Sequence, residues 1–303
     1  MEQFLAVTGR NLKLYFRDRG AVFFSLLSMI IVICLMVFFL GDMNIEDTAG
    51  LFGGFPGRDA AADKKNAELL ILAWTCAGIL SINAVTVTLS CYAVMIRDRV
   101  SGKLNAIYTA PIRRGIITAG YIAAAWLASV IICTITLVIT EAYLVAQGAA
   151  LYSAGEHVQL MGMIFVNSFA YASIMYFVAM LARTEGAWSG LGTVVGTLVG
   201  FLGGIYIPIG TLSEVIGNVM KCTPIIYGTA MFRNIMTKHI MDGLFVDVPG
   251  ELTDEYRLVM GIDLDVFDRL IGIREEWIVL FFCGMIFLVV GIAMLRYGRR
   301  TDR

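Results

Sequence analysis

Six stretches of this chain contain no Asp, Glu, Lys or Arg: 20–41, 69–96, 115–140, 157–182, 186–213 and 277–295. They are 22, 28, 26, 26, 28 and 19 residues long. An apolar helix needs about 20 residues to cross the roughly 30 Å hydrocarbon layer of a bilayer. The pattern predicts an all-α membrane protein with six transmembrane helices, near 21–41, 69–96, 116–140, 160–182, 187–207 and 277–295. It excludes a soluble enzyme and a secreted disulfide scaffold. It also excludes a β-barrel, whose strands are alternating segments of about ten residues.

The charges left between these stretches orient the chain. If the amino terminus is cytoplasmic, residues 1–19, 97–114, 183–185 and 296–303 lie inside with a net charge of +9. Residues 42–68, 141–156 and 214–276 then lie outside with a net charge of −10. Lys and Arg concentrate in short cytoplasmic loops, so both termini are expected in the cytoplasm. The six cysteines (Cys34, Cys76, Cys91, Cys133, Cys222 and Cys283) form no CxxC pair, and five fall inside spans. They read as small packing residues rather than a disulfide or metal framework.

Residues 1–19 have the period of an amphipathic helix. Phe4, Leu5, Thr8, Leu12, Tyr15 and Phe16 share one face, and Arg10, Lys13 and Arg17 lie on another. Such a helix beside a span lies in the headgroup plane and is read as an elbow that also meets a cytoplasmic partner. The first outer loop, 42–68, reads as irregular. The last, 208–276, is too long for a simple connection and too apolar for a solvated one. Its stretch from Leu212 to Ile235, broken by Pro224, suits a re-entrant hairpin. Tyr256, Val259, Met260, Leu264, Phe267 and Ile271 predict an amphipathic outer helix over 252–276.

Bond-making chemistry is not visible. Gly102-Lys103 is followed by Leu104 and lacks the upstream glycine of a phosphate-binding loop. His157 and His239 lie outside the spans and read as surface residues; no metal site is expected. The spans hold none of the mid-membrane charges that ion-coupled carriers use. Glu141 falls about 37 Å beyond Ile116 at 1.5 Å per residue, at the outer interface. The energy source is therefore expected in another chain, or transport is passive.

Within the spans, Gly192, Gly196, Gly200 and Gly204 recur every fourth residue, a stripe that lets another helix approach closely. It reads as packing within the chain, or as a face toward a second copy or a central pathway. Asn83, Thr86 and Ser90 share a face of the second span. They read as interhelical hydrogen bonds or as a weakly polar lining.

The loop 97–114, RDRVSGKLNAIYTAPIRR, is the largest internal cytoplasmic one and is strongly basic. Gly102 starts a turn, Lys103 to Tyr108 suits a short helix with Leu104 and Ile107 on its apolar side, and Pro111 stops it. This loop resembles that of the membrane permease subunits of ABC-2 type exporters, which typically reads E-R-x-x-G-T-L-E with a proline nine residues after the glycine. Asp98 stands for the Glu, Arg99, Gly102 and Leu104 match, and Pro111 and Arg113 follow at the right spacing. Lys103 and Asn105 depart from the pattern. GGIYIP at 203–208, then Pro224, Tyr227 and Arg233, is similar to the family's second pattern, G-x-x-x-P…P-x-x-Y…R. The resemblance spans nearly the whole chain, as one transmembrane domain over 1–303.

The resemblance implies a permease dimer, homodimeric or heterodimeric, in the bacterial plasma membrane among membrane lipid. Each half pairs with a separate ABC ATPase that binds ATP and Mg; the permease holds no cofactor and meets no nucleic acid. Asp98, Arg99, Gly102, Lys103, Leu104, Ile107, Pro111 and Arg113 would couple to that ATPase. Pro208, Pro224, Tyr227 and Arg233 would shape re-entrant outer helices over a path for hydrophobic or amphipathic cargo, such as a drug, a peptide or a lipid-like molecule. The acidic segment 242–276 motivates an alternative, a non-transporting adaptor, sensor or immunity component that also pairs with an ATPase.

Overall fold

The computed structural model describes residues 1–35, 41–104, 112–266 and 269–297. The helices are α1 (Glu2–Arg17), α2 (Arg19–Leu35), α3 (Gly41–Gly50), α4 (Ala60–Val100), α5 (Arg114–Ala146), α6 (Ala154–Leu181), α7 (Glu185–Leu202), α8 (Glu214–Lys221), α9 (Pro224–Met236), α10 (Lys238–Leu244), α11 (Gly250–Val259) and α12 (Ile273–Tyr297). Strands β1 (Leu264–Val266) and β2 (Arg269–Ile271) form an antiparallel hairpin with Asp265 opposite Leu270.

Among the described residues, four helices are long and apolar enough to cross a membrane: α4, α5, α6 and α12. They occupy the second, third, fourth and sixth charge-free stretches. The first holds α2 and the fifth holds α7. Helix α4 is the axis of the molecule. Its 41 residues reach about 62 Å at 1.5 Å per residue, twice the hydrocarbon layer, so it projects at both ends. Of its most apolar stretch 89% is buried, against 17% for α12, which lies at the periphery.

Several boundaries differ from the sequence reading. The loop 42–68 contains α3 and the first turns of α4, where Asp59 caps the helix by accepting a hydrogen bond from the Ala61 amide. A side-chain cap and no proline after Pro56 let α4 begin well before its apolar run. The amphipathic helix expected over 252–276 ends at Val259, because Gly261 takes φ +60°. The chain then turns into the hairpin. Leu264 and Ile271 thus face each other across two strands rather than along one helix.

Two buried clusters organise the molecule. The large one runs through α4, α5, α6 and α9 and includes Tyr15, Tyr92, Tyr121 and Tyr176. The smaller one, Phe52, Leu70, Ile71, Trp74, Met241, Leu244, Phe245, Tyr256, Met260 and Ile262, gives the acidic outer cap a core of its own.

Candidate coupling site and its counterpart in the outer cap

The end of α4 that carries Arg97, Asp98 and Arg99 is here called the inner end. Asp98 is buried there, with a carboxylate that accepts from two directions. Arg10 of α1 donates to it through both terminal nitrogens, at 2.7 and 3.1 Å, and the Tyr121 hydroxyl of α5 donates at 2.7 Å. A bidentate guanidinium–carboxylate pair fixes orientation as well as distance. The Asp98 hydrogen bonds hold the Arg10 guanidinium above its usual pKa. Arg10 therefore leaves the polar face assigned to it in the sequence. The buried residues of α1 are Thr8, Asn11 and Tyr15, and Leu5 is exposed. The inward face is rotated because the strongest available partner for α1 is a charge, not an apolar surface.

Gly120 completes the seat. A Cβ placed there would lie 2.5 Å from Cγ1 of Val7, so α1 rests on α5 only because the position is glycine. Arg99 donates to the carbonyls of Ala179 and Ala182 at 3.2 and 2.7 Å, satisfying acceptors that the end of α6 leaves open. Helix α4 stops at Ser101, and Gly102 has φ +73°, a conformation that favours glycine. Leu104 is buried in the main cluster, whereas Lys103 and Arg113 are exposed. Ile107 and Pro111 lie outside the described residues.

Beside this seat, α2, α4 and α7 enclose a cavity of about 1130 Å³ lined by Tyr15, Ser90, Arg97, Trp188 and Gly192 among others. Of the polar face read in the second span, Ser90 lines this cavity. Asn83 does not: it donates to the Thr136 hydroxyl of α5 at 2.8 Å and is buried. Thr86 donates to the Asn83 carbonyl.

The glycine stripe divides. Gly192 lies against Leu89 of α4, Gly196 faces open space and Gly200 meets the Tyr206 ring. Gly204 is not on the stripe. The helix ends at Leu202, and Gly204 makes the following turn at φ +61°.

At the outer end, Pro208 precedes a short 3-10 turn, Pro224 opens α9, and the Tyr227 hydroxyl donates to the Lys221 carbonyl at 2.8 Å. Arg233 is fully buried, with its guanidinium 3.9 Å from the ring centre of Trp74. It donates to Gly204, Met260 and Gly261 carbonyls at 2.7, 3.2 and 3.3 Å. Trp74 donates its indole N–H to the same Met260 carbonyl at 2.7 Å. A guanidinium stays charged in proteins, so its charge is met by carbonyl dipoles and an aromatic face. Glu141 accepts from the Tyr152 amide at 3.2 Å and sits 2.9 Å from the His157 ring. His239 lies 2.9 Å from Glu156. These pairs tie α5, α6 and α10 together at the acidic end. Among the described residues no three potential metal ligands converge.

The motifs thus mark two places, at opposite ends of α4. Sequence reasoning missed Arg10, Tyr121 and Gly120 at one and Trp74 at the other. The only signal for Arg10 was a basic residue three positions from an aromatic stripe. Trp74 and Tyr121 carry no signal, because an aromatic residue in a span is usually packing.

No match was found among curated proteins. Residues 2–237 match the family described as ABC-2 type transporter, a span running from the start of α1 to the end of α9 that includes the inner site and Arg233 with Trp74, but not Met260 and Gly261. The chain therefore belongs to the ABC-2 type transporter family, as a transmembrane component that is not itself catalytic.

Proposed function

We propose that the chain is the permease subunit of an ATP-driven exporter, moving a hydrophobic or amphipathic molecule out of the cytoplasm while a separate ABC ATPase binds ATP and Mg. Two copies form the path, with both termini cytoplasmic and six spans per copy in the plasma membrane. The observation that carries this reading is the Arg10–Asp98–Tyr121 clamp. It joins the amino-terminal helix, the inner end of the central helix and α5, the two elements between which the loop 97–114 runs. A push on that loop or on α1 thus reaches the axis of the molecule as a rigid-body tilt. The inner cavity, walled by α2, α4 and α7, supports cargo entry on the same side. Its lining mixes apolar residues with Asp18, Arg97 and Glu185, which suits a cargo that has both an apolar and a polar part.

The test replaces Gly102 and Leu104 with glutamate and measures ATP-dependent efflux and ATP hydrolysis in vesicles that contain the partner ATPase. Efflux is expected to fall at least tenfold while the permease still inserts. Unchanged efflux would sink the lever. Normal ATPase pairing with no flux of any amphiphile, in the unaltered protein, would favour the adaptor reading instead.

A further inference from the structure

We propose that His157 and His239 form a pH-operated latch at the outer end of the molecule, closed while both rings are protonated and released as they lose their protons. The latch joins the α5–α6 hairpin to α10 and is independent of what the permease moves.

These two are the chain's only histidines. Histidine is the side chain whose ordinary titration falls between about pH 5 and 8, and the fold brings both to one seam. Each meets a glutamate of the α5–α6 hairpin. His157 lies 2.9 Å from Glu141, and His239, near the start of α10, lies 2.9 Å from Glu156. In both pairs the carboxylate is the enclosed partner and the histidine the accessible one. Only 10% of the Glu141 side chain and 13% of the Glu156 side chain are exposed, against 37% and 49% for the histidines. An enclosed carboxylate is costly to leave unpaired. Here the partner that neutralises it faces solvent, so the outer solution sets its charge.

The bonding partners fix the protons of the closed state. Nδ1 of His157 lies 3.0 Å from the Ser153 carbonyl oxygen, and Nε2 lies 2.9 Å from a Glu141 oxygen. A carbonyl and a carboxylate only accept, so both ring nitrogens must donate, which the imidazolium alone can do. Glu141 accepts from the Tyr152 amide with its other oxygen, as an ionised carboxylate does. Glu156 accepts from the Ser153 amide and hydroxyl, each at 2.8 Å. Among the described residues its one ion-pair partner is His239.

The groups facing His157 are Glu141 from α5 and Tyr152 and Ser153 from the connecting loop, the Tyr152 ring at 6.2 Å. Helix α4 brings Lys65 to this loop, 3.9 Å from a Cβ placed at Gly148, and Cys76 toward Tyr152. Helix α9 presents the Met236 carbonyl to the Tyr152 hydroxyl at 3.1 Å. The hydrogen bond to Glu141 raises the His157 pKa above its ordinary value. Its hold on the seam is therefore complete below about pH 6.5 and is lost as the pH rises through that higher value.

Helix α10 carries Met241 and Leu244 into the core of the outer cap, and Thr237 both ends α9 and begins α10. Releasing α10 thus loosens the link between the cap and the helix that carries Arg233.

Hydrogen exchange of the full chain in detergent, corrected for the intrinsic pH dependence of amide exchange, reads the latch at residues 238–244. Exchange there is expected to be at least roughly fivefold faster at about pH 8.5 than at about pH 6, the size of one ion pair. The double change His157→Gln and His239→Gln should exchange fast at both values. His157→Lys with His239→Lys keeps both charges and should exchange slowly at both. Should the glutamine pair fail to fold, the lysine pair alone must lose the pH response. Equal protection of 238–244 at both values in the unaltered protein, or a pH response that survives in either double variant, would overturn the inference.

Discussion

The two ends of α4 each hold an arginine, and they hold it differently. At the inner end Arg10 is part-exposed, with 38% of its side chain accessible, and pairs with one carboxylate. At the outer end Arg233 is fully enclosed and donates to three carbonyls from two separate chain turns. The exposed half of this pair, Arg10, can exchange its partner for water at small cost, although buried Asp98 cannot. A buried cation whose acceptors are main-chain carbonyls cannot, because each lost bond leaves a buried acceptor dry. The glycines repeat the contrast. Near the outer end a Cβ at Gly210 would press on the Val259 Cα, whereas Gly186 and Gly190 at the inner end of α7, and Gly196 past its middle, meet nothing within 4 Å. The Arg233 site is thus enclosed on every side, whereas the inner end pairs a tight seat for α1 at Gly120 with an open face on α7.

The strongest way to break this comparison is at Arg233. Replacing it with methionine removes the donor to Gly204, Met260 and Gly261 at once. Trp74 still donates to Met260, so two buried acceptors, Gly204 and Gly261, are left unpaired. At about 1–3 kcal/mol each, the loss should be about 2–6 kcal/mol and remove most folded protein in detergent. Arg233→Lys should recover only part of it, since an ammonium cannot spread across separated carbonyls and an aromatic face as a guanidinium does. A thermal midpoint within a few degrees of the unaltered protein in Arg233→Met would mean that the cap is held by its apolar core alone.

A smaller effect is expected at the inner end. Arg10→Ala leaves the buried Asp98 carboxylate with the Tyr121 hydroxyl. The expected cost is about 1.5–3 kcal/mol, in the range of a charged hydrogen bond. ATP-driven efflux should fall several-fold more than the folded fraction does. Asp98→Glu should retain function, because the longer carboxylate still reaches both donors once α1 shifts slightly. If Arg10→Ala destabilised the protein as much as Arg233→Met, the two ends would not differ in kind.

How much of this was legible beforehand depended on which physical signal each part leaves. The spans were readable because desolvating a charge in hydrocarbon is so costly that charge-free runs are nearly forced. Four of them are met by helices α4, α5, α6 and α12. The positions of Asp98, Gly102 and Arg233 were readable because they sit in spaced motifs. What was hidden is what those residues touch. Arg10 lies 88 residues from Asp98, and helical period alone put it on the wrong face. The outer hairpin was hidden for a different reason: Leu264 and Ile271 fit a helical spacing as well as a strand register, and only Gly261 at φ +60° decides between them.

Gly196 of α7 and Gly210 of the 3-10 turn that follows it give the finest test of the contrast between open and packed surfaces. Gly196→Ala adds a methyl where nothing lies within 4 Å, and alanine favours a helix interior over glycine by up to about 1 kcal/mol. Within one chain the change should therefore be neutral or slightly stabilising, within about 0.5 kcal/mol of zero or above it. Gly210→Ala, whose new Cβ would press on the Val259 backbone, should instead cost about 1–3 kcal/mol, as overpacking does. The comparison is sharpened by measuring both thermal midpoint and efflux in Gly196→Ala. An unchanged midpoint with lost efflux would place the open side of Gly196 against moving cargo or a second copy. A fall in the midpoint of the isolated chain would show instead that α7 around Gly196 is packed as tightly as the turn at Gly210, and the contrast between them would be lost.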